Sequence, residues 1–504
     1  MAIFNIWFQT GKGDEEMKTA PKLQKLAPLE LSKCQTVGQI FEAMSKTPVG
    51  SGMLGRLAMS LRELIAKGDG PVVVFDGDDS SQLSRLVKKM KEKDWVFEGP
   101  ITTRDYMRRG YAPRKWRDRS VLVLGRFSEP FEEFLITNLD PSRTFFVNQW
   151  GFSCPGFLID GSFHNTAVAD PRFVLPLLYS AFEEWFSDKP WPVNEMLISW
   201  LERHGGAGKE FGRGARTLQA MTDDPDCTVV FTMTGVVTVA QMSPIICDLI
   251  DAGKVQVIVT TGALLGHGLV WSLDLHHFRH DPKLDDAALA EFKWNRITDA
   301  IEPETNLDHV EEIINAVLKD LPDDAVVSSS DVNRLIGEYL RKHFPDQRGV
   351  LKSAVEKDVP VIIPAFYDSE LGNDVITHNW RRKREGRKPI LVNLEKDTEL
   401  LVEILTKTKR RGIFTLGGGP PRNTPQNIPP LVEILNNRLG LNMPVPMYYY
   451  GCRVCPDPIW LGHLSGCTYS EGVSWRKFDP QGQFAEVHMD ALHAFPFLAK
   501  YVLS

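Results

Sequence analysis

A short segment near the C-terminus holds the residue types that imine chemistry needs. Glu471, Trp475 and Lys477 lie within seven residues of one another. A lysine amine becomes a nucleophile toward imines and carbonyls when an apolar neighbour disfavours its charged form, and Trp475 is suited to that role. Glu471 is suited to hold a cationic substrate. A surface lysine lying along a tryptophan ring has the same spacing, so this segment alone leaves both interpretations open.

A run of three glycines follows a predicted buried strand. Residues 413–419 are Ile-Phe-Thr-Leu-Gly-Gly-Gly, and Asn423 follows before a new helix. Glycines at such a point let the backbone approach a phosphate or a ring closely, and the N-terminus of the next helix favours anions. The spacing is not the Gly-x-Gly-x-x-Gly of common dinucleotide sites. A nucleotide site and a tight turn between strand and helix both fit the segment.

Polar loops follow two other predicted strands. Residues 260–266 are Thr-Thr-Gly-Ala-Leu-Leu-Gly and follow a strand predicted at 255–259, while Asp368 and Asn373 follow a strand predicted at 359–363. Open parallel sheets bind ligands at the carboxyl ends of their strands. These loops are therefore candidates for ligand contacts, and capping of the next helix explains the polar residues about equally well.

Apolar strands alternate with helix-period segments through the second half of the chain. This alternation predicts an α/β protein with a parallel sheet covered by helices on both faces. The first half has fewer clear units. Strands are predicted at 72–75, 120–124, 144–147, 227–231, 255–259, 359–363, 390–393, 412–416 and 445–450, and helices at 174–186, 242–252, 307–319, 331–343 and 397–408.

Three regions are predicted: an N-terminal arm at 1–35, a smaller α/β domain at 36–190, and the main domain at 191–504, with the break near the prolines of 187–192. Two helix-then-strand units echo one another at an offset of 157. Gly55, Arg56, Ala58, Leu61, Asp69, Val72 and Val73 recur as Gly212, Arg213, Ala215, Leu218, Asp226, Val229 and Val230. The echo predicts that 36–190 is a degenerate repeat, and chance similarity is the alternative.

Composition excludes several classes of function. The net charge of -7 and the pI of about 6.0 argue against a protein that binds nucleic acid over its whole surface, and the basic segment at 104–119 is assigned no function. No apolar run reaches the roughly 18 to 20 residues that span a bilayer, so we expect no membrane insertion. The first residues lack the features of a secretory signal, so we expect a cytoplasmic protein.

Cysteine and histidine spacing gives no metal signature. The seven cysteines form no regular framework, and Cys452-Arg-Val-Cys455 lacks a second pair. His276, His277 and His280 are neighbours but lack a metal-binding pattern. The sequence therefore predicts no metal site.

Taken together, the ordered segments resemble the deoxyhypusine synthase family, and more closely its bacterial branch, over about residues 193–504. The matching segments are Phe-Gly-Arg at 211–213, Cys-Thr-Val-Val-Phe at 227–231, Val-Ile-Val-Thr-Thr-Gly at 257–262, Asn-Arg-Ile at 295–297, Val-Pro-Val-Ile-Ile-Pro-Ala at 359–365, Leu-Gly-Gly-Gly at 416–419, Glu-Gly-Val-Ser-Trp-Arg-Lys at 471–477 and Asp-Ala at 490–491.

The resemblance implies a Rossmann-like parallel-sheet fold, NAD as cofactor, and a polyamine substrate. In this family a lysine attacks an imine, formed when NAD takes hydride from spermidine, and passes a four-carbon amine to an acceptor; Lys477 matches that lysine. By the same resemblance Glu471 and Trp475 line the polyamine channel. Family members are tetramers with sites between paired subunits, which implies a homo-oligomer here. The residues implied around NAD are Thr260, Thr261, Gly262, Asp368, Gly418, Ser465, Gly466, Asp490 and Ala491.

Four positions depart from the family pattern. Asn423 replaces the histidine that follows the triple glycine in the eukaryotic enzymes, Leu464 replaces an aspartate, and Asn373 replaces an acid. These changes remove polar contacts to a polyamine. Arg476 stands where glycine is usual, and it would crowd the channel or repel a cation.

The sequence therefore predicts an NAD-dependent aminobutyl transferase in which Lys477 carries the imine to a small amine such as putrescine, giving homospermidine. Modification of a protein lysine is the second acceptor. A catalytically silent NAD-binding or regulatory relative is the alternative.

Overall fold

The computed structural model of this chain describes residues 23–75, 81–108, 119–125, 143–147, 166–167 and 169–504. Residues 1–22 of the predicted arm and most of the basic segment at 104–119 lie outside the described residues. The helices are α1 Val37–Met44, α2 Val49–Ala66, α3 Ser81–Glu92, α4 Thr103–Arg108, α5 Pro171–Ser187, α6 Glu195–Glu202, α7 Gly206–Asp223, α8 Val236–Val239, α9 Ser243–Asp251, α10 Gly262–Ser272, α11 Asp286–Glu291, α12 Glu304–Leu318, α13 Ser329–His343, α14 Val350–Glu356, α15 Glu370–Arg384, α16 Glu395–Lys407, α17 Gly419–Gln426, α18 Ile428–Leu439, α19 Tyr469–Ser474 and α20 Ala491–Leu503.

Four sheets are formed within the described residues. Their strands are β1 Val72–Phe75, β2 Glu98–Thr102, β3 Val121–Leu124, β4 Thr144–Val147, β5 Thr166–Ala167, β6 Cys227–Met233, β7 Val257–Val259, β8 Phe278–Arg279, β9 Trp294–Ile297, β10 Ala300–Pro303, β11 Val326–Val327, β12 Val361–Ile362, β13 Leu391–Val392, β14 Arg410–Leu416, β15 Tyr448–Val454 and β16 Phe478–Val487. The strand orders are β2-β1-β3-β4-β5, β8-β10-β9, β11-β13 and β12-β7-β6-β14-β15-β16.

The six-stranded sheet is parallel throughout and positions the candidate site. Its central strands β6 and β14 pair over seven residues, and most of both strands is buried because helices cover both faces. Phe231 and Phe414 stack across this pair with ring centres 4.8 Å apart. Since all the strands point the same way, the loops after β7, β12, β14 and β15 meet at one edge of the sheet.

The predicted α/β class with a parallel sheet is confirmed, and the predicted strands 72–75 and 144–147 match β1 and β4 residue for residue. One strand assignment needs correction. The strand predicted at 390–393 does not join the main sheet, because β13 pairs with β11 in a separate two-stranded sheet. Strand β16 was not predicted, since Pro480 and Gly482 interrupt its pattern.

The two halves of the chain share one cluster of buried apolar side chains. Within the predicted arm, Leu29 and Leu31 are fully buried. Thr36 forms an isolated bridge with Pro192, across the predicted domain break. The boundaries at 35 and 190 stay a prediction. Among the described residues, no helix is long and apolar enough to cross a membrane.

Candidate functional site

Lys477 lies between helix α19 and strand β16, and its main chain is fixed on both sides. Its N–H donates to the Gly472 carbonyl at 3.1 Å, and its carbonyl accepts from the Tyr448 N–H at 3.0 Å. Helix α19 begins at Thr468, whose side chain accepts from the Glu471 N–H at 3.0 Å. The lysine is therefore placed by a capped helix on one side and by the main sheet on the other.

The amine of Lys477 is half-buried and donates to Asn423 Oδ1 at 2.9 Å. Burial lowers the pKa of Lys477 from its ordinary value, and the nearby charge of Arg422 lowers it further, while Cys467 and Glu471 act in the opposite direction. The net shift favours the neutral amine, which is the nucleophilic form. The structure thus brings Lys477 into direct contact with Asn423, the residue that stands in place of the family's histidine and that we also predict to take part in catalysis.

Arg422 precedes Asn423 in α17 and is 2% exposed. Its guanidinium lies 5.6 Å from the centre of the Tyr469 ring. Its Nε and Nη2 atoms are buried without hydrogen-bond partners, and no carboxylate in the described part of the chain forms an ion pair with it. Burial lowers the pKa of Arg422 itself. A positive charge with no carboxylate partner therefore lies beside the lysine, and the sequence analysis did not single it out.

The triple-glycine turn lies against the loop that follows β15. Gly417 has a φ of +83°, and a Cβ on Gly418 would lie 2.4 Å from the Cβ of Ser465, closer than two carbons can pack. The Ser465 hydroxyl donates to Asp457 and lies 3.2 Å from His463 Nδ1, which accepts from the Gly466 N–H at 3.1 Å. Gly418, Ser465 and Gly466, all predicted for the cofactor, thus form one cradle.

Arg453 holds this loop in place. Its guanidinium is 1% exposed and donates to the carbonyls of Ser465 at 2.6 Å and Cys467 at 2.9 Å, and to Glu486 at 3.1 Å. Glu486 also accepts from the Tyr469 N–H at 2.7 Å. The sequence analysis considered only the two cysteines around Arg453; a charged residue in an otherwise apolar strand was the available signal.

The predicted residues after β7 form a second part of the same sheet edge. Thr260 is fully buried and donates to the Met233 carbonyl at 3.1 Å. Thr261 caps helix α10. A Cβ on Gly262 would lie 2.0 Å from Ser369 Oγ, so only glycine fits between α10 and the loop before α15. These three residues place a helix N-terminus at the carboxyl end of the sheet.

Among the remaining predicted residues, Glu471 is linked to these contacts by its N–H, which donates to Thr468, and by its charge, which acts to raise the pKa of Lys477. Asp368 is exposed after β12, and Glu471 is exposed in α19. Trp475 is 62% exposed, so most of its ring is not packed against Lys477. Asp490 follows the carboxyl end of β16 and caps α20 by accepting from the backbone N–H of the second helical residue, and Ala491 is the first residue of that helix.

Comparisons with known proteins bear on this arrangement. The family model described as deoxyhypusine synthase matches residues 196–502, more than half of the chain. The chain belongs to the deoxyhypusine synthase family. It is 28% identical over 295 residues to "Probable deoxyhypusine synthase 1" of Archaeoglobus fulgidus, covering 58% of this chain and 89% of that protein. It is 29% identical over 297 residues to the "Deoxyhypusine synthase-like protein" of Chlorobaculum tepidum, covering 58% and 81%.

A solved structure from Entamoeba histolytica, described as a deoxyhypusine synthase, is 14% identical with a TM-score of 0.40, covering 61% of this chain and 92% of that chain. Family membership rests on the family model and the sequence relatives.

Arg476 replaces the usual glycine of the deoxyhypusine synthase pattern at a left-handed backbone position, with a φ of +56°. Its guanidinium is directed toward Glu433, with Nε 3.4 Å from Oε1, and its side chain is 65% exposed. The guanidinium therefore has an acidic partner outside the contact between Lys477 and Asn423, and the crowding expected from the sequence stays a prediction. The departure places a side chain at a backbone position that favours glycine.

Glu302 in β10 is fully buried, and its carboxylate lies between two histidines. His267 Nδ1 donates to one carboxylate oxygen, and His277 Nε2 lies 3.5 Å from the other. Gln241 donates to His277 Nδ1 at 3.1 Å. His280 instead contacts the Leu284 carbonyl. The ligand atoms of His267, His277 and Glu302 lie within 4.8 Å of one another, and the absence of a metal stays a prediction.

The carboxylate and the histidines shift one another's protonation. Burial raises the pKa of Glu302, but the hydrogen bond from His267 and the close approach of His277 outweigh burial and bring the pKa to about 2. Burial lowers the pKa of His267, but the hydrogen bond and the negative charge of Glu302 outweigh it and raise that pKa.

Replacing Glu302 by Gln should lower the free energy of unfolding in a pH-dependent way. The raised pKa of His267 gives stability that is present below the ordinary histidine pKa and lost as pH rises through the raised value. The lowered pKa of Glu302 gives stability that is present above the ordinary carboxyl pKa and lost as pH falls toward about 2. Urea unfolding across pH should show the largest difference in the free energy of unfolding between wild type and Glu302→Gln at pH values between the ordinary carboxyl pKa and the ordinary histidine pKa. The exposed variant Glu304→Gln is the control. A gap independent of pH would contradict the pairing.

Arg476→Gly should be more stable than Arg476→Ala by about 1 kcal/mol, because only glycine adopts the left-handed position without a Cβ penalty. Both variants lose the Glu433 ion pair equally, so the difference isolates the backbone. Urea unfolding of the two variants measures it. Equal stability would show that Arg476 is not strained.

Arg422→Met should raise the pKa of Lys477, because it removes a positive charge that disfavours the protonated amine. The measurement is the pH dependence of Lys477 modification by an amine-reactive reagent, followed by peptide mass spectrometry. The midpoint should move to higher pH in Arg422→Met, and stay in place in Arg422→Lys and in the exposed control Arg476→Met. An unmoved midpoint in folded Arg422→Met would refute this role.

Proposed function

We propose that this chain is an NAD-dependent aminobutyl transferase of polyamine metabolism in which Lys477 carries the transferred group as an imine. One observation carries the proposal: the half-buried amine of Lys477, with a lowered pKa, donates to Asn423 in the helix that begins at the triple-glycine turn. One hydrogen bond therefore connects the nucleophilic amine of Lys477 to the helix that follows the candidate cofactor-binding turn.

The residues at the sheet edge fit NAD. Gly418 packs directly on Ser465, whereas a Cβ on the next residue, Gly419, would meet no atom within 4 Å. The backbone of the turn is therefore accessible at Gly419 to a flat ring or a phosphate. Helices α10 and α17 begin at this edge, and helix N-termini offer unpaired N–H groups to phosphate oxygens. When bound, NAD supplies the oxidation by accepting a hydride from the carbon next to a substrate nitrogen.

The proposed cofactor contacts are those of the sequence analysis. They are Thr260, Thr261, Gly262, Asp368, Gly418, Ser465, Gly466, Asp490 and Ala491.

The chain's own residues then act on the substrate imine. The neutral Nζ of Lys477 attacks the imine carbon and forms a new carbon–nitrogen bond. The former amine leaves with the two protons that Nζ gives up, and the lysine keeps the four-carbon unit as an imine. Asn423 orients Nζ for attack. An acceptor amine then attacks the same carbon and releases Lys477 with its amine restored. The imine left on the acceptor would take back the hydride held by the cofactor, so that the product is a saturated amine and no net oxidation occurs.

A small amine such as putrescine is the favoured acceptor, giving a homospermidine-type product, and a protein lysine is the second. Leu464, Asn373 and Asn423 leave fewer negative charges than the family pattern to hold a long polyamine. Glu471 is exposed in α19 and available to a cationic substrate.

A silent NAD-binding or regulatory relative is the second candidate. Buried Arg422, with no carboxylate partner among the described residues, favours it, because that charge repels a polycation at the site.

Assembly into a homo-oligomer, a tetramer or a dimer, is also proposed. Apolar side chains of the loop after β15 and of Trp475 are 45–69% exposed, as in a surface that another copy covers. They are Ile459, Trp460, Leu461, Leu464 and Trp475. Light scattering would give the mass in solution.

Borohydride trapping tests the lysine step. The protein is incubated with NAD and spermidine, putrescine or agmatine, reduced, and digested for mass spectrometry. The expected result is a reduced adduct on the peptide that contains Lys477, formed only with NAD present, because reduction fixes the imine to Nζ.

Lys477→Ala should lose the adduct and the transfer activity while NAD still binds by calorimetry. Lys409→Ala serves as the matched control, because the side chain of that lysine is 78% exposed and pairs with Asp226. NAD binding with no adduct on any polyamine would favour the silent relative, and turnover that survives in Lys477→Ala would overturn the mechanism.

A further inference from the structure

The five-stranded and six-stranded sheets share one topology. In the five-stranded sheet the strand order is β2-β1-β3-β4-β5. In the six-stranded sheet the order is β12-β7-β6-β14-β15-β16, so that β12 is an additional edge strand beside β7. All neighbours in both sheets are parallel. When β1 to β5 are matched in chain order to β6, β7, β14, β15 and β16, every neighbour relationship is the same.

The helices that precede the two sheets also match. Helix α2, Val49–Ala66, and helix α7, Gly206–Asp223, both have 18 residues. The difference of their first residues, 206 minus 49, and that of their last residues, 223 minus 66, both equal 157. This is the offset at which the sequence repeats. Each helix is preceded by a short helix of eight residues, α1 or α6, and leads directly into the first strand of its sheet.

A glycine at the same place in both sheets makes the same contact. Gly125 follows β3 with a φ of +102°, and its N–H donates to the carbonyl of Val147, the last residue of β4, at 2.9 Å. Gly417 follows β14 with a φ of +83°, and its N–H donates to the carbonyl of Val454, the last residue of β15, at 2.8 Å. The first sheet therefore keeps the first glycine of the turn that forms the candidate cofactor edge in the second.

The helix that closes each half begins in the same way. Asp170 caps α5 and Asp490 caps α20, each by accepting from the N–H of the second helical residue, at 2.7 and 2.8 Å. Both helices contain a proline at their sixth position, Pro176 and Pro496. Topology, helix length, turn glycine and closing helix thus recur together.

Contacts between the halves are reciprocal. The start of α2 lies on the start of α20: a Cβ on Gly50 would be 2.6 Å from Asp490 Oδ2, and His493 donates to the Gly50 carbonyl at 2.9 Å. The start of α7 lies on the start of α5: a Cβ on Gly206 would be 2.1 Å from Arg172 Cζ. The long helix of each half therefore begins on the closing helix of the other half, as in a two-fold symmetric dimer.

Aromatic rings fill the face between the halves. Phe173 of α5 packs on Phe211 of α7 with centres 4.9 Å apart and on Phe497 of α20 at 6.3 Å, and Phe41 of α1 packs on Phe497 at 5.9 Å. All four are fully buried. Permanent interfaces between subunits are also formed by buried apolar side chains, because such an interface resembles one hydrophobic core divided between two subunits.

We infer that residues 36–187 and 194–503 are two copies of one fold, packed about a pseudo-two-fold axis, so that one chain is a fused dimer. The partner of each copy at this face is the other copy, and a second chain has no access to it. Residues 148–165, which correspond to the segment between β15 and β16, contain no lysine. Each chain therefore carries one lysine site, and the first copy braces the start of α20, where Asp490 contacts Gly50.

Cleavage of the full-length protein between the copies tests this inference. A recognition sequence for a specific protease is inserted after Asp188, which is exposed. After cleavage the two fragments should elute together at the mass of the uncut chain in gel filtration with light scattering. Phe173→Glu should release them after cleavage, because it places a charge in the shared core, and Gln82→Glu on the exposed face of α3 should not. Fragments of the cut wild type that separate without denaturant would overturn the inference.

A crystal structure provides the second measurement, which does not depend on any variant folding. The rotation that superposes α2, β1 and α5 on α7, β6 and α20 should be about 180°, as a two-fold relation requires. A rotation far from that value would show that the copies are joined without symmetry. Neither measurement depends on catalysis, so failure of the proposed transferase leaves this inference standing.

Discussion

The hydrogen bond between Lys477 and Asn423 is the contact on which the candidate site depends. It joins two segments that the chain separates by 54 residues: the lysine after α19 and the helix that begins at the triple-glycine turn. Arg453 fixes the loop before α19, and the parallel pairing of β14, β15 and β16 fixes the distance between the two segments. The amine is thereby positioned by the sheet, so its location does not rest on a mobile side chain.

The charge balance at this site gives the amine its proposed chemistry. Burial of a cation without a carboxylate partner costs several kcal/mol, and Arg422 bears that cost beside Lys477. A rigid surrounding core is needed to hold such a charge in place, and the buried strands on either side supply one. The same positive charge that favours the neutral lysine would also repel the proposed polycationic substrate. The proposed transferase activity therefore requires negative groups such as Glu471 to offset the charge of Arg422.

Local sequence patterns predicted the elements of this protein whose structure depends on residues that are close together in the chain. Central apolar strands, the triple-glycine turn and the lysine segment were all identified, because each depends on neighbours within a few residues. Strand β16 was missed because Pro480 and Gly482 are tolerated only at the edge of the sheet, which the local pattern does not show. Arg453 and the pairing of His267 with Glu302 depend on partners far along the chain, which spacing cannot reveal.

A crystal structure of the chain with bound NAD tests the central claim most directly, because it shows whether the amine and the cofactor share one site. The account predicts that the nicotinamide ring lies on the cradle of Gly418 and Ser465, with Lys477 Nζ still held by Asn423 and directed at the ring. A nicotinamide bound elsewhere, or a Lys477 amine turned toward solvent in that complex, would contradict it.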